Sequence, residues 1–264
     1  MKKIIIFNWK MNPNSLKEAE RLFTQTQICA DKTQINADII IAPPFVYLEP
    51  LLKSLNSKSY ILNFKLCAQD VFWSASRRTP AGGGAYTGEI SVKMLKNLGV
   101  EYVIIGHSER RKYFGETDEI INKKIKAVFK TGLKVVLCVG ENLKIRKKGK
   151  KTIEIFIKNQ LQKDLKGIKN LKLKIKNLVV AYEPVWAIGA GHSDTSQDAL
   201  EIIKFIKRTL YSKFYILNSR VLYGGSVDSK NIKDFIQHKE IDGVLVGGAS
   251  LRKNEIIRIF AQIR

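Results

Sequence analysis

Cysteine, proline and acidic side chains are scarce in this chain, and each scarcity removes a class of protein. The three cysteines, Cys29, Cys67 and Cys138, form no CxxC pair and are odd in number. That excludes a disulfide framework and a zinc ribbon and fits a reducing compartment. Only six prolines occur and no linker or composition break interrupts the chain, so residues 1–264 read as one domain. No apolar run approaches the roughly 20 residues of a membrane helix. The opening Met1-Lys2-Lys3 leads into Ile4 to Phe7, an apolar run too short for a leader that reads instead as a first buried strand. A cytoplasmic protein with no membrane partner is expected. A Gly-rich dinucleotide loop or P-loop is also missing after that strand, where Asn8-Trp9-Lys10-Met11-Asn12 stands instead.

The shortage of acids leaves a formal net charge of +22. Half of that excess lies between Lys144 and Lys176, where thirteen Lys or Arg face only Glu154 and Asp164. A solvated helix face accounts for such a run, and a positive field also draws in phosphorylated small molecules. The stretch has few aromatics for base stacking and no nucleic-acid-binding motif, so nucleic acid is not an expected partner.

What the chain does have is a repeated alternation. Eight apolar runs rich in Ile and Val are predicted as strands: Ile4 to Trp9, Asp38 to Ala42, Ser59 to Cys67, Tyr102 to Ile105, Lys134 to Val139, Leu178 to Tyr182, Arg220 to Tyr223 and Gly243 to Val246. Amphipathic stretches follow them near Leu16 to Ala30, Val46 to Leu55, Ile90 to Leu98, Glu119 to Lys130, Thr152 to Leu165, Ser196 to Tyr211, Ser229 to Gln237 and Asn254 to Ile263. Strands buried on both faces read as continuous apolar runs, which argues for a parallel sheet wrapped in helices. Eight βα units in about 250 residues is the count of a closed (β/α)8 barrel, with an open doubly wound sheet as the competing arrangement.

In such a barrel the catalytic groups gather at the C-terminal ends of the strands. Strand one ends in Asn8 and Lys10, strand four in His107-Ser108-Glu109, strand six in Glu183, strand seven in Gly224-Gly225-Ser226 and strand eight in Gly247-Gly248. Glu183 closes an apolar strand and precedes Pro184-Val185-Trp186-Ala187-Ile188-Gly189-Ala190-Gly191, the composition of a hinged lid; a carboxylate kept from water there can act as a base. His107 stands where a strand passes into a helical turn, and the positive end of a helix favours the uncharged ring. Lys10 projects into the mouth, where an ammonium stabilises an oxyanion. Two consecutive strand-end glycine pairs favour a phosphate cradle of backbone N–H groups.

The segments Asn8-Trp9-Lys10-Met11-Asn12, Gly84-Ala85-Tyr86-Thr87-Gly88-Glu89, Gly106-His107-Ser108-Glu109-Arg110-Arg111, Tyr182-Glu183-Pro184-Val185-Trp186-Ala187-Ile188-Gly189, Tyr223-Gly224-Gly225-Ser226-Val227 and Val246-Gly247-Gly248-Ala249-Ser250-Leu251 occur in one order along the chain. In these the chain resembles the triosephosphate isomerase family over essentially its whole length. The resemblance implies a single TIM barrel and an aldose-ketose isomerase of glycolysis and gluconeogenesis. It would interconvert dihydroxyacetone phosphate and D-glyceraldehyde 3-phosphate without cofactor or metal. Glu183 would be the base, His107 the proton shuttle, and Lys10 with Asn8 the oxyanion partners. Gly189, Ser226, Gly247 and Gly248 would hold the phosphate. Glu109 and Ser108 would support the catalytic groups, and Tyr223 would steady the lid. It also implies a homodimer through the Asp70 to Gly88 loop, with Thr87 reaching the partner's site and Phe72 and Trp73 buried between subunits. This loop is longer than the family's, Asp70 stands where the family has Asn, and His192-Ser193-Asp194 departs from the family's lid ending. Other readings are a different phosphosugar isomerase or a Schiff-base aldolase on the same barrel, or a non-catalytic binding barrel with a basic nucleic-acid-binding face. No lysine inside the barrel is expected apart from Lys10 at the rim.

Overall fold

The computed structural model describes residues 2–56, 64–73, 84–168, 177–188, 194–216 and 218–263. Eight parallel strands close into a barrel in sequence order: β1 Lys3–Asn8, β2 Ala37–Ala42, β3 Phe64–Ala68, β4 Tyr102–Ile105, β5 Lys134–Val139, β6 Leu178–Tyr182, β7 Arg220–Tyr223 and β8 Gly243–Val246. Closure runs through β1 and β8, where Ile4 to Phe7 pair with Gly243 to Val246. The start of the expected third strand, from Ser59 to Asn63, lies outside the described residues, as do Gly189, His192, Ser193, positions 74–83 of the third loop and positions 169–176 of the basic stretch.

Ten α-helices are described: α1 Leu16–Thr33, α2 Leu48–Asn56, α3 Val92–Leu98, α4 Ser108–Tyr113, α5 Asp118–Thr131, α6 Leu143–Arg146, α7 Lys150–Asp164, α8 Ser196–Phe214, α9 Ile232–Ile236 and α10 Lys253–Gln262. Their starts are chemically marked. Ser15, Ser91, Thr117, Asn142 and Thr195 each accept a backbone N–H of the first turn of the helix they precede. Two helices, α4 and α6, have no counterpart in the periodicity, because four to six residues are too few to show a period of 3.6.

Packing follows the two periods. Alternate strand residues such as Ile6, Ile40, Cys67, Ile104, Val136, Cys138, Ala181, Leu222 and Leu245 fill the barrel interior. The opposite set meets the helices. Along α8, Ala199, Ile202, Ile203, Ile206 and Leu210 are buried at helical spacing, and each large aliphatic contributes about 1.5–3 kcal/mol. The interior also corrects one expectation. Lys65 and Lys134 sit two residues before the inward-facing Cys67 and Val136, so alternation turns them inward too. They lie near the N-terminal strand ends, away from the mouth, where Lys65 meets Asp38 at 3.7 Å and Lys134 lies over the Tyr102 ring at 4.6 Å.

Candidate active site

Strand geometry brings Asn8, Lys10 and His107 to the rim of one cavity of about 350 Å3, shared with Gly224, Gly225, Ser226, Gly247 and Gly248. These come from the ends of four strands, so no local segment contains the site. Ile188, Val227, Asp228, Leu245, Ala249 and Arg252 complete its wall.

Lys10 holds a left-handed backbone, φ 54°, which costs a non-glycine residue about 1–2 kcal/mol. Its N–H donates to Asn8 Oδ1 at 3.0 Å. Its carbonyl accepts from Gln69 Nε2 at 2.8 Å, and the same amide donates to Ala42 O at 2.8 Å. Gln69 ties three strand ends together and was missed in the sequence, although its place directly after β3 was the signal. The ammonium of Lys10 pairs with Glu109 Oε1 at 2.5 Å.

His107 turns into the mouth because Gly106 breaks β4 at φ 75°, where an added Cβ would press on Arg111 and on the Cys138 carbonyl. As the N-cap of α4, His107 accepts the Glu109 N–H on Nδ1 at 3.2 Å. A nitrogen that accepts carries no proton, so the ring's proton sits on Nε2. Nε2 lies 3.4 Å from Glu183 Oε1. The donor end of the imidazole therefore faces the carboxylate and the cavity.

Glu183 is 1% exposed. Its Oε2 accepts the Ser108 N–H at 2.9 Å, while Oε1 has no hydrogen-bond partner among the described residues. Its carboxylate does not line the cavity; it is held just behind His107. Cys138, buried in the interior beside this carboxylate, is a packed thiol. Burial pushes it well above the ordinary thiol range, and the negative Glu183 adds to the effect.

On the other side of the cavity a single 3-10 turn, Gly248–Leu251, follows β8. Ser250 closes it by donating both its N–H, at 2.9 Å, and its hydroxyl, at 2.6 Å, to Gly247 O. Gly247, Gly248 and Ala249 at the start of this turn line the cavity, and the leading N–H groups of such a turn favour an anion. Tyr223 is fully buried, stacked on Phe235 at 3.9 Å, and its hydroxyl accepts the Asp194 N–H at 3.1 Å. Thr87 is exposed on the third loop; Gly189, the remaining expected phosphate ligand, falls outside the described residues.

A (β/α)8 barrel whose mouth sets a shielded carboxylate, an imidazole donor and an ammonium beside strand-end glycines has the layout of an acid–base enzyme. Comparison with known proteins narrows the class. The family model described as triosephosphate isomerase matches residues 3–263. Triosephosphate isomerase of Thermoanaerobacter pseudethanolicus is 43% identical over 262 residues, covering 97% of each chain. That of Dictyoglomus turgidum is 45% identical, covering 95% of each. The chain belongs to the triosephosphate isomerase family, isomerases of triose phosphates.

Proposed function

We propose that this chain interconverts dihydroxyacetone phosphate and D-glyceraldehyde 3-phosphate through an enediolate. The observation that carries the reading is the meeting of Glu183 and His107 Nε2 at 3.4 Å beside the cavity that Lys10 and the strand-end glycines line. Glu183 turns from Ser108 N–H into the cavity and takes the proton from the carbon next to the substrate carbonyl. It then returns that proton to the neighbouring carbon, so no atom is gained or lost. His107 donates Nε2–H to the carbonyl oxygen as charge builds there, then passes a proton between the two enediol oxygens. The Lys10 ammonium, with Asn8, stabilises the same charge, and Glu109 holds it in place. N–H groups around Ser226, Gly247, Gly248 and Gly189 hold the phosphate, whose binding energy keeps the reactive carbons aligned.

The whole of 1–264 then serves one barrel domain that works in the cytoplasm, in glycolysis and gluconeogenesis. Among the described residues no helix is long and apolar enough to cross a membrane. The chain acts as a homodimer. Met11 and Phe114, 90% and 68% exposed, line a second cleft with Gln69, Glu109 and Arg110 on the outer side of Lys10. In this reading the partner's third loop docks at that cleft, and Phe72 and Trp73, half-buried within one chain with ring centroids 4.2 Å apart, are covered on assembly.

The test of the chemistry is a coupled isomerase assay in both directions on the wild type and Glu183→Gln. Removing the base costs about 10³-fold or more in kcat while the fold persists. A wild type that leaves the two trioses unequilibrated, or a Glu183→Gln variant of near-normal kcat, overturns the reading.

A further inference from the structure

A second gathering of buried charge lies behind the site, around Arg146 at the end of α6. The surrounding run Lys144-Ile145-Arg146-Lys147-Lys148-Gly149-Lys150-Lys151 holds six cations, of which only this one is arginine. It is also the one turned inward: Lys144, Lys147, Lys148, Lys150 and Lys151 are exposed, and Arg146 is half-buried.

One guanidinium meets both flanks of the segment that follows Glu183. Its face lies over the Trp186 ring, 4.9 Å from the centroid. Its edge reaches Asp194 Oδ1 at 3.0 Å and Asp198 Oδ2 at 2.8 Å, with Glu141 Oε1 at 3.9 Å. Trp186 is three residues beyond Glu183, in the turn Val185–Ala187. Glu141 holds the same turn twice, accepting Val185 N–H at 2.9 Å and the Trp186 indole N–H at 3.0 Å. At the other flank, Asp194 is 3% exposed, accepts the Thr195 N–H at 3.0 Å and gives its own N–H to the Tyr223 hydroxyl. Nη2 makes both short bonds while Nη1 faces Glu141 and the guanidinium plane covers the indole; a lysine ammonium, a point charge without a plane, cannot reproduce the stacked face at the same time.

We propose that Arg146 is a positioning residue for the isomerisation: it fixes the turn leaving Glu183 to the Asp194 anchor, so that the base and the Tyr223 hydroxyl keep one frame. This rests on Glu183 being the base. Asp194 supplies the negative end of the tie. Burial, with Asp198 and Glu141 adding to it and Arg146 opposing it, raises its carboxyl to about 6.

The test uses the full chain with Arg146→Met, Arg146→Lys, Asp194→Asn and the double variant Arg146→Met with Asp194→Asn. For each, kcat and KM for glyceraldehyde 3-phosphate are measured beside Tm. A positioning role lowers kcat about tenfold in Arg146→Met, the equivalent of 1.4 kcal/mol, with KM within about threefold. Arg146→Lys does not rescue, because it lacks plane and fork. The double variant is no worse than Arg146→Met, since both cut one tie. Lys150→Met, which breaks only the exposed pair with Glu201, leaves kcat unchanged. Wild-type kcat in Arg146→Met with a lowered Tm, or full rescue by lysine, overturns the proposal. If Arg146→Met does not fold, Asp194→Asn decides alone: unchanged kcat overturns it and a loss supports it. An inactive wild type or an active Glu183→Gln would instead overturn the functional reading.

Discussion

Replacing Gly140 by alanine tests whether the position of the Glu183 backbone sets the rate. Gly140 follows β5, and its N–H donates to Gln160 Oε1 at 3.0 Å inside the protein. An alanine Cβ there would lie 1.7 Å from the Glu183 carbonyl oxygen and 2.5 Å from its carbon, where ordinary contact begins at 3.4 Å. Glu183 has little room to retreat, because its N–H is bonded to Val139 O at 2.8 Å and Val185 N–H to Glu141 O at 2.9 Å. Relief therefore moves the base by roughly 1 Å or more, a displacement that costs about 10²-fold in rate. The overpacking itself destabilises by about 1–3 kcal/mol. In the coupled assay we expect kcat to fall about 10²-fold, with KM changed only a few fold because the glycines after β7 and β8 are untouched. Gly132→Ala is the control: Gly132 ends α5 at φ 78° with nothing within 4 Å of an added Cβ, so it costs about 1 kcal/mol of stability and leaves kcat alone. A folded Gly140→Ala enzyme with kcat within about threefold of wild type would refute the reasoning.

Two further outcomes concern stability and assembly. Lys124, 3% exposed, bridges Asp70 Oδ1 at 2.5 Å and Glu116 Oε1 at 2.6 Å, so Lys124→Met should lose about 3 kcal/mol by leaving two buried carboxylates to share the single Arg110 guanidinium, at 2.8 and 2.5 Å. Asp70→Asn in that background should recover part of it in urea unfolding; a loss below about 1 kcal/mol would show the pairing to be inconsequential. Phe114→Glu places a charge in the outer cleft beside Lys10 and should shift a dimer to monomer in sedimentation; a wild type that sediments as a monomer would dismiss the dimer proposal.

Much of the architecture was legible before any coordinates. Five strands, Tyr102–Ile105, Lys134–Val139, Leu178–Tyr182, Arg220–Tyr223 and Gly243–Val246, have the bounds their apolar runs mark out, because a strand covered on both faces needs apolar residues throughout its length. Helix limits were less sharp. Leu16–Thr33 and Ser196–Phe214 run three residues past their expected ends, since the last turn is mostly exposed and leaves the hydrophobic period unmarked. Glu183, Lys10 and His107 stood out because a polar residue at the close of a buried strand is conspicuous against its neighbours.

The order of apolar and polar residues along the chain determined the strand count, the enclosing helices and which end of the barrel carries chemistry, since burial period and strand polarity are local properties. Only the tertiary structure decided what those residues meet. The Ser108 N–H that holds Glu183 is 75 positions away, the Glu109 that pairs with Lys10 is 99 away, and the proton on His107 Nε2 follows from a bond made on its other nitrogen. Lys65 and Lys134 turned inward, and one arginine among five lysines joined two flanks of chain. Such contacts depend on distance and direction between strand ends that close together only when the barrel does, and no local period encodes them.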